Sequence, residues 1–381
     1  MSGPFKFPAV EGLMNCIRAT TAYETWLRQR TPVLEEDLEH KHHEMSADIF
    51  SFMRATYYRW VELWKESCSE LASAPVVSAV GDLHVENFGT WRDQEGRLVW
   101  GINDFDETAS LPYTNDLLRL AVSAHLAIAA DELTIELSEA SKAILKGYKK
   151  GLVDSGSPFV LAEKHEWLRN AVMSDLRDPL KFWNKLVKLT DVAAVPHKVR
   201  KMLVKALPER KLPYRVVHRV AGLGSLGRQR FLALAEWNGG LVARETKARV
   251  PPATVWLDGN KADHHHDDYE QIIKRAVRSS DPSLELHKQW ILRRLAPDSS
   301  RVELKSLPKH KDVRKLLEAM GRETANIHLA RRDAIQKVQR DLAKRRAGWL
   351  HQAATTMVEA TTTDWQTWCS REAEAHMSVP A

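Results

Sequence analysis

The sequence predicts an α+β protein of two lobes, one small and β-rich, the other larger and helical. Three observations carry that expectation. Between residues 214 and 246 three strand-like runs surround a cluster of glycines. The run Leu117 to Ala130 is apolar almost throughout, and Arg119 and His125 within it, with its short length, mark a buried central helix, not a membrane span. At 381 residues and 44% apolar composition, the chain exceeds one typical domain and suits two lobes with a cleft.

In chain order, residues 1–80 are expected to be a helical segment packed on the larger lobe, its part through Leu38, like the C-terminal region from about Ala347, shaping substrate access or an oligomer contact. Two short apolar strands follow, Val76 to Val80 and Leu98 to Ile102, each running straight into a polar cluster. The first cluster reads Gly81-Asp82-Leu83-His84-Val85-Glu86-Asn87-Phe88-Gly89, the second Asn103-Asp104-Phe105-Asp106-Glu107. Asp116 precedes the apolar helix, where it serves as an N-terminal cap or braces the neighbouring loop. The larger lobe takes residues 81–212.

The small lobe, 213–297, opens with the Val-rich alternation Tyr214 to Ala221, then Gly222-Leu223-Gly224-Ser225-Leu226-Gly227, then the strand Phe231 to Glu236. Glycines between two strands form a hairpin whose backbone amides can approach an anion closely. A dinucleotide fingerprint would need a helix at that point. A third strand, Gly240 to Thr246, delivers Lys247. A helical run from about Asp267 to Val277 offers Glu270 as a partner for Lys247, with Gln271 and Glu285 in competition, and Trp290 to Leu295 reads as another strand. Residues 298–381 complete the larger lobe with helices, among them Leu316 to Arg331, which carries Gly321, Ala325 and His328.

Carboxylates gathered at strand ends suit phosphoryl transfer, in which one acid orients an acceptor hydroxyl while others hold magnesium. The order aspartate, five residues, asparagine, short hairpin, aspartate-phenylalanine resembles the kinase-like superfamily, in particular its aminoglycoside phosphotransferase and choline kinase branch. That resemblance implies Asp82 as catalytic base, Asn87 as metal ligand, Asp104 as principal magnesium ligand, and Asp106 as an auxiliary metal group or one standing behind the metal. His84 would brace the loop. Gly222, Gly224, Ser225 and Gly227 would cover the nucleotide phosphates, Lys247 would steady them, and Arg293 or Arg294 would approach them.

By that resemblance the order of these parts is that of a circularly permuted kinase-like fold: the catalytic cluster comes first, and Leu316 to Arg331, similar to the helix that should feed it, comes after Trp290 to Leu295, which resembles the strand entering a kinase hinge. The set "GDLHVENFG", "NDFDET", "GLGSLG" and "MGRETANIHLARRD" is similar to domain-of-unknown-function family 2252, a bacterial group. The resemblance implies a magnesium-dependent ATP phosphotransferase acting on a hydroxyl of a small, aminoglycoside- or sugar-like molecule. The alternatives are an ATP-binding pseudokinase scaffold or a nucleotidyltransferase on the same fold. The cofactors expected are ATP and Mg2+.

Composition narrows the rest. The net charge of +6, from 56 basic and 50 acidic residues, is a modest excess, and the basic runs near 198–205 and 331–346 are interleaved with other residues as on solvated helices. No repeated aromatic pattern forms a stacking platform. Nucleic-acid and membrane partners are therefore not expected. Three scattered cysteines and no secretion signal suggest a reduced, cytoplasmic protein. The runs His40-Lys41-His42-His43 and His264-His265-His266 lack helix-borne metal spacing and read as exposed.

Overall fold

Among the described residues, five helices come before the first strand: α1 (Cys16–Arg28), α2 (Glu35–Ala47), α3 (Ile49–Ala55), α4 (Tyr57–Ser67) and α5 (Ser69–Ala72). Asn15 and Asp48 start α1 and α3 by accepting the backbone N–H groups of Arg18 and Ser51 at 2.9 and 2.8 Å, satisfying donors that a helix start leaves unpaired. The structure, a computed structural model, describes residues 15–161, 164–172, 178–259, 266–299 and 311–377. It is a mixed α+β architecture in which helix predominates and the strands form small sheets.

Strand β1 (Val76–Ala79) pairs antiparallel with β4 (Ala109–Pro112), and between them β2 (Phe88–Arg92) and β3 (Leu98–Ile102) form a hairpin. The central helix α6 (Tyr113–Ala129) is buried along most of its length. It is followed by α7 (Leu137–Val153), the short strand β5 (Phe159–Val160), which extends the β2–β3 sheet, and α8 (Glu166–Val172). The start of α6 differs from expectation. Pro112 occupies the cap position without a side-chain bond, and Asp116 lies inside the first turn, free to serve the neighbouring loop instead.

Residues 179–206, counted above with the larger lobe, fold as α9 (Pro179–Val187) and α10 (His197–Ala206) and cover a five-stranded antiparallel sheet. Its strands are β6 (Tyr214–His218), β7 (Arg230–Trp237), β8 (Gly240–Ala248), β9 (Glu285–Leu286) and β10 (Trp290–Leu295), in the spatial order β6-β7-β8-β10-β9. Strand alternation explains the arrangement. Val217, Leu232, Leu234 and Ala243 meet Leu186 of α9, while Val216, Phe231 and Ala233 meet Val199 and Leu203 of α10. The β7–β8 turn is Asn238-Gly239, both at positive φ, the backbone that a two-residue hairpin needs. Helices α11 (Ala253–Leu257) and α12 (His266–Arg275) lie between β8 and β9. The β6 strand ends at His218, three residues short of the alternating run, because the chain there leaves the sheet to reach the glycine cluster.

The chain ends with α13 (Lys311–His328), α14 (Ile335–Lys344) and α15 (Trp349–Met377). Helix α13 packs closely on α7 where Gly147 and Gly321 lie: a Cβ at Gly321 would stand 2.0 Å from the Ile144 carbonyl oxygen, and one at Gly147 1.8 Å from that of Glu318. Helix α15 closes over the first helices. The Asp364 carboxylate receives Arg59 Nε at 2.7 Å, and Trp365 and Trp368 donate to the Met45 carbonyl and the Ser46 hydroxyl, each at 3.1 Å. Among the described residues no helix is long and apolar enough to cross a membrane.

Candidate functional site

The loop after β1 is fixed by its backbone. The N–H groups of Val80 and Gly81 donate to the two oxygens of Asp116 at 2.7 and 3.0 Å. That fully buried carboxylate also meets His328 Nε2 at 2.9 Å, and His328 Nδ1 lies 2.8 Å from the Tyr148 hydroxyl. Thus α13 reaches the loop through Asp116, which acts as a brace and not as a cap. Gly81 takes φ +84°, and a Cβ there would fall 2.1 Å from the Glu107 carbonyl oxygen, so no other residue fits without displacing the backbone.

Asp82 is held by Arg119 of α6, whose Nη2 and Nε donate to Oδ1 at 2.6 and 3.0 Å. Arg119 is itself buried, spreads over Tyr57 and Trp60, and donates to the Met53 carbonyl at 2.7 Å. Burial pushes the Asp82 carboxyl up from the ordinary aspartate value and the Arg119 charge opposes this. Asn87 Nδ2 donates to the Asp82 carbonyl. His84 Nδ1 accepts from Glu86 N at 3.2 Å and so heads the single 3₁₀ turn that carries Asn87, the bracing role expected of it. The Asn103 N–H donates to the Asn87 carbonyl at 3.1 Å, tying the second carboxylate cluster to the first.

In that second cluster Asp104 Oδ1 accepts from Asp106 N at 3.3 Å. Lys247, at the end of β8, stands 2.6 Å from Asp106 Oδ2 and 3.7 Å from Asp104 Oδ1. Glu270, the partner considered for that lysine, pairs instead with Lys274 at 3.1 Å on an exposed face of α12, one turn along its own helix. Arg228 adds a second cation, 3.3 Å from Asp106, 3.1 Å from Glu107 and 3.2 Å from the Tyr23 hydroxyl. Burial pushes the Glu107 carboxyl up to about 7 against the pull of Arg228 and of the Ala253 N–H that donates to it at 2.6 Å. The other oxygen of Asp106, Oδ1, is buried and has no hydrogen-bond partner among the described residues.

The glycine loop comes down on this group from the five-stranded sheet. Gly222 takes φ +76° and leads into a 3₁₀ turn, Leu223–Ser225. A Cβ on Gly224 would stand 3.0 Å from the Arg54 carbonyl and 3.5 Å from Asp82 Oδ2, so the tip of the loop rests on α3 and on Asp82. Gly222, Gly224 and Ser225 line a cleft with Asp82, Asn87, Asp104 and Asp106, with about 600 Å³ of free space, its open mouth included. Gly227 is elsewhere, at φ +88° against Leu38 of α2. Arg293 is also outside the lining: it donates from Nε and Nη2 to Glu245 at 3.1 Å. That fully buried glutamate also receives Arg219 at 2.6 Å and Arg230 at 2.8 Å, and the three guanidinium groups hold its carboxyl well below the usual range despite burial.

Arg119, Arg228, Arg54, Tyr57 and Glu245 were not singled out as site residues by sequence reasoning. Arg119 left a signal, since a cation inside a buried apolar helix demands an acid nearby, but the sequence does not say which. Among the described residues no three His, Cys, Asp or Glu side chains converge as a metal cluster. The set Asn87, Asp104 and Asp106 still suits magnesium, which takes one or two carboxylates and completes its shell with water and phosphate oxygens. The orphaned Asp106 Oδ1 is a donor atom of the kind such an ion satisfies. Of the histidine runs, His264 and His265 lie outside the described residues, and the run at 40–43 is not exposed throughout as expected: Lys41 is buried and His42 meets Glu24 at 2.6 Å.

Fold and cleft together define an α+β protein in which an acid-rich hairpin and a glycine loop from a separate sheet face each other across a cleft. Residues 31–160 match the family model of uncharacterised proteins conserved in bacteria, DUF2252, as GDLHVENFG and NDFDET anticipated; GLGSLG and MGRETANIHLARRD lie beyond the matched stretch. The matched stretch holds Asp82, Asn87, Asp104, Asp106 and Arg119, whereas the glycine loop and Lys247 lie beyond it. Comparison with curated proteins and with solved structures returned no match.

Proposed function

We propose that the protein is a magnesium-dependent phosphotransferase that moves the γ-phosphoryl group of ATP to a hydroxyl of a small molecule, on a circularly permuted kinase-like fold. The observation that carries this reading is the meeting, in one cleft, of Asp82, Asn87, Asp104 and Asp106 with the glycine loop at 222–225, with Lys247 on Asp106 just behind. Support for the permutation comes from α13, which follows the sheet in sequence yet ties through His328 and Asp116 to the loop bearing Asp82. Lys247 sits on the third strand of its sheet, the position a kinase lysine takes after its glycine loop.

When bound, magnesium would neutralise charge developing on the transferred phosphoryl group. The chain's own residues do the remainder. Arg119 fixes Asp82 in one orientation, so that Oδ2 is the oxygen left to accept the proton of an acceptor hydroxyl. Asn87 and Asp104 are positioned by the β2–β3 hairpin, and Lys247 and Arg228 hold Asp106 between them. Because Gly224 rests against Asp82, entry of a triphosphate requires the loop tip to lift. The same contact favours a second reading, a binding protein whose cleft stays closed to chemistry.

ADP release in the presence of MgATP and a panel of hydroxyl compounds tests the proposal. Asp82→Asn should abolish release while retaining the rise in unfolding temperature caused by MgATP, whereas Asp104→Ala should lose that rise. Undiminished turnover in Asp82→Asn would sink the mechanism. Pyrophosphate in place of ADP would identify nucleotidyl transfer, and a nucleotide-dependent rise without any product would leave the binding protein.

A further inference from the structure

Three features of the cleft bear on what the acceptor carries besides its hydroxyl. Each of the four carboxylates lining the cleft already lies within ion-pair distance of an internal cation: Asp82 of Arg119, Asp104 and Asp106 of Lys247, Glu107 of Arg228. The oxygens that remain, Asp82 Oδ2 and Asp106 Oδ1, are the ones the phosphotransferase reading gives to the acceptor hydroxyl and to magnesium. The wall formed by the end of α3 and the start of α4 has the opposite character. Arg54 Nε and the Tyr57 hydroxyl are both buried and both without a hydrogen-bond partner among the described residues, although the two side chains line the cleft. A buried donor with no acceptor is costly to a fold, and two of them on side chains that flank the α3–α4 junction and line the cleft point to an acceptor group that arrives with a ligand.

The third feature is Lys41. Its side chain is 1% exposed and its ammonium lies 5.1 Å from the ring centre of Tyr58, another cleft residue. No carboxylate stands within ion-pair distance of it among the described residues. Burial disfavours its charge, which the fields of Glu24, Glu107 and Asp82 support and that of Arg228 opposes. The wall therefore has a positive charge behind it that nothing in contact balances.

We infer that the α3–α4 wall seats an oxyanion of the acceptor, so that the substrate is a hydroxyl compound bearing a carboxylate or phosphate group and not a cationic amino sugar. This deepens the phosphotransferase reading and rests on it. Arg54 is suited to the task because Nη1 is anchored on Glu86 at 2.6 Å, which fixes the guanidinium plane while leaving Nε uncommitted. The Gly224 contact on the Arg54 carbonyl means that the lift admitting phosphates also frees this edge of the wall.

The test loads the wild-type protein with magnesium and a non-hydrolysable ATP analogue, so that free anions do not fill the phosphate site, and follows the unfolding midpoint with glycerate, glycerol 3-phosphate, glycerol or serinol. At least one of the two anions should raise the midpoint, and which one does so distinguishes carboxylate from phosphate; glycerol and serinol should not raise it. Arg54→Gln should weaken anion binding about 10-fold or more, the loss expected for a charge-assisted hydrogen bond, while keeping the full nucleotide-induced rise, which shows that the variant is folded. A rise with serinol, or none with either anion, overturns the inference and leaves the phosphotransferase reading standing. No rise with the nucleotide analogue itself overturns that reading, and the inference with it.

Discussion

Replacing Lys41 by Met should make the protein more stable at neutral pH. Burial pulls the lysine down from its ordinary value to about 8, a fall worth about 3 kcal/mol of unfavourable interaction with the charged form. The cation–π contact with Tyr58 returns about 1 kcal/mol. Methionine fills nearly the same volume without a charge, so a net gain of about 2 kcal/mol is expected at pH 7. The sign follows from proton counts. Below pH 8 the lysine is protonated in both states and the folded protein carries the full penalty. From about 8 to about 10.4 the unfolded chain holds more protons, so wild-type stability from this group rises with pH. Urea unfolding of both proteins at stepped pH should show a gap that is largest below pH 8 and closes toward pH 10. Equal or lower stability of Lys41→Met at pH 7, with a gap independent of pH, would refute the assignment of Lys41 as a buried, unbalanced cation.

Gly321→Ala should destabilise by more than about 2 kcal/mol in denaturant titration, because the new methyl meets the Ile144 carbonyl at 2.0 Å, outweighing the ~1 kcal/mol that alanine gains as a helix former. Glu245→Gln removes the one carboxylate between Arg219, Arg230 and Arg293 and should cost about 3–5 kcal/mol, read as an early transition of the five-stranded sheet. Since the carboxyl of Glu245 is depressed in the folded state, its stabilisation is complete above about pH 4.5 and lost only as pH falls toward the folded value, which acid unfolding at graded pH will register. Asp116→Asn weakens the acceptor for Val80 N, Gly81 N and His328 and should lower stability by about 1–3 kcal/mol, with hydrogen exchange speeding up first at Val80 and Gly81.

Strands β3, β7 and β8 and the glycine turn were legible because each rests on local pattern: alternation, branched residues and glycine between two runs. The convergence of Asp82 with Asp104 was legible for the same reason, since both follow strands. Other parts depend on partners distant in sequence. The pairing of Lys247 with Asp106 could not be separated from a pairing with Glu270, because spacing along α12 says nothing about which side of the sheet the helix faces. Asp116 was placed near its loop, yet the helix starts at Tyr113 because Pro112 sets the preceding backbone, and this frees the carboxylate. Helices α9 and α10 went to the other lobe in the sequence reading because an amphipathic helix declares that it packs, not what it packs on.

The tie from His328 to Asp116 has a consequence for synthesis. His328 is translated 212 residues after Asp116, and Asp364, which receives Arg59, follows it by 305. A nascent chain that has already emitted every acid of the cleft still lacks the helix that steadies their loop and the one that covers α1 to α4. Folding from the ribosome outward therefore ends with the site, and a chain cut before α13 would carry all four carboxylates without the scaffold that orients them.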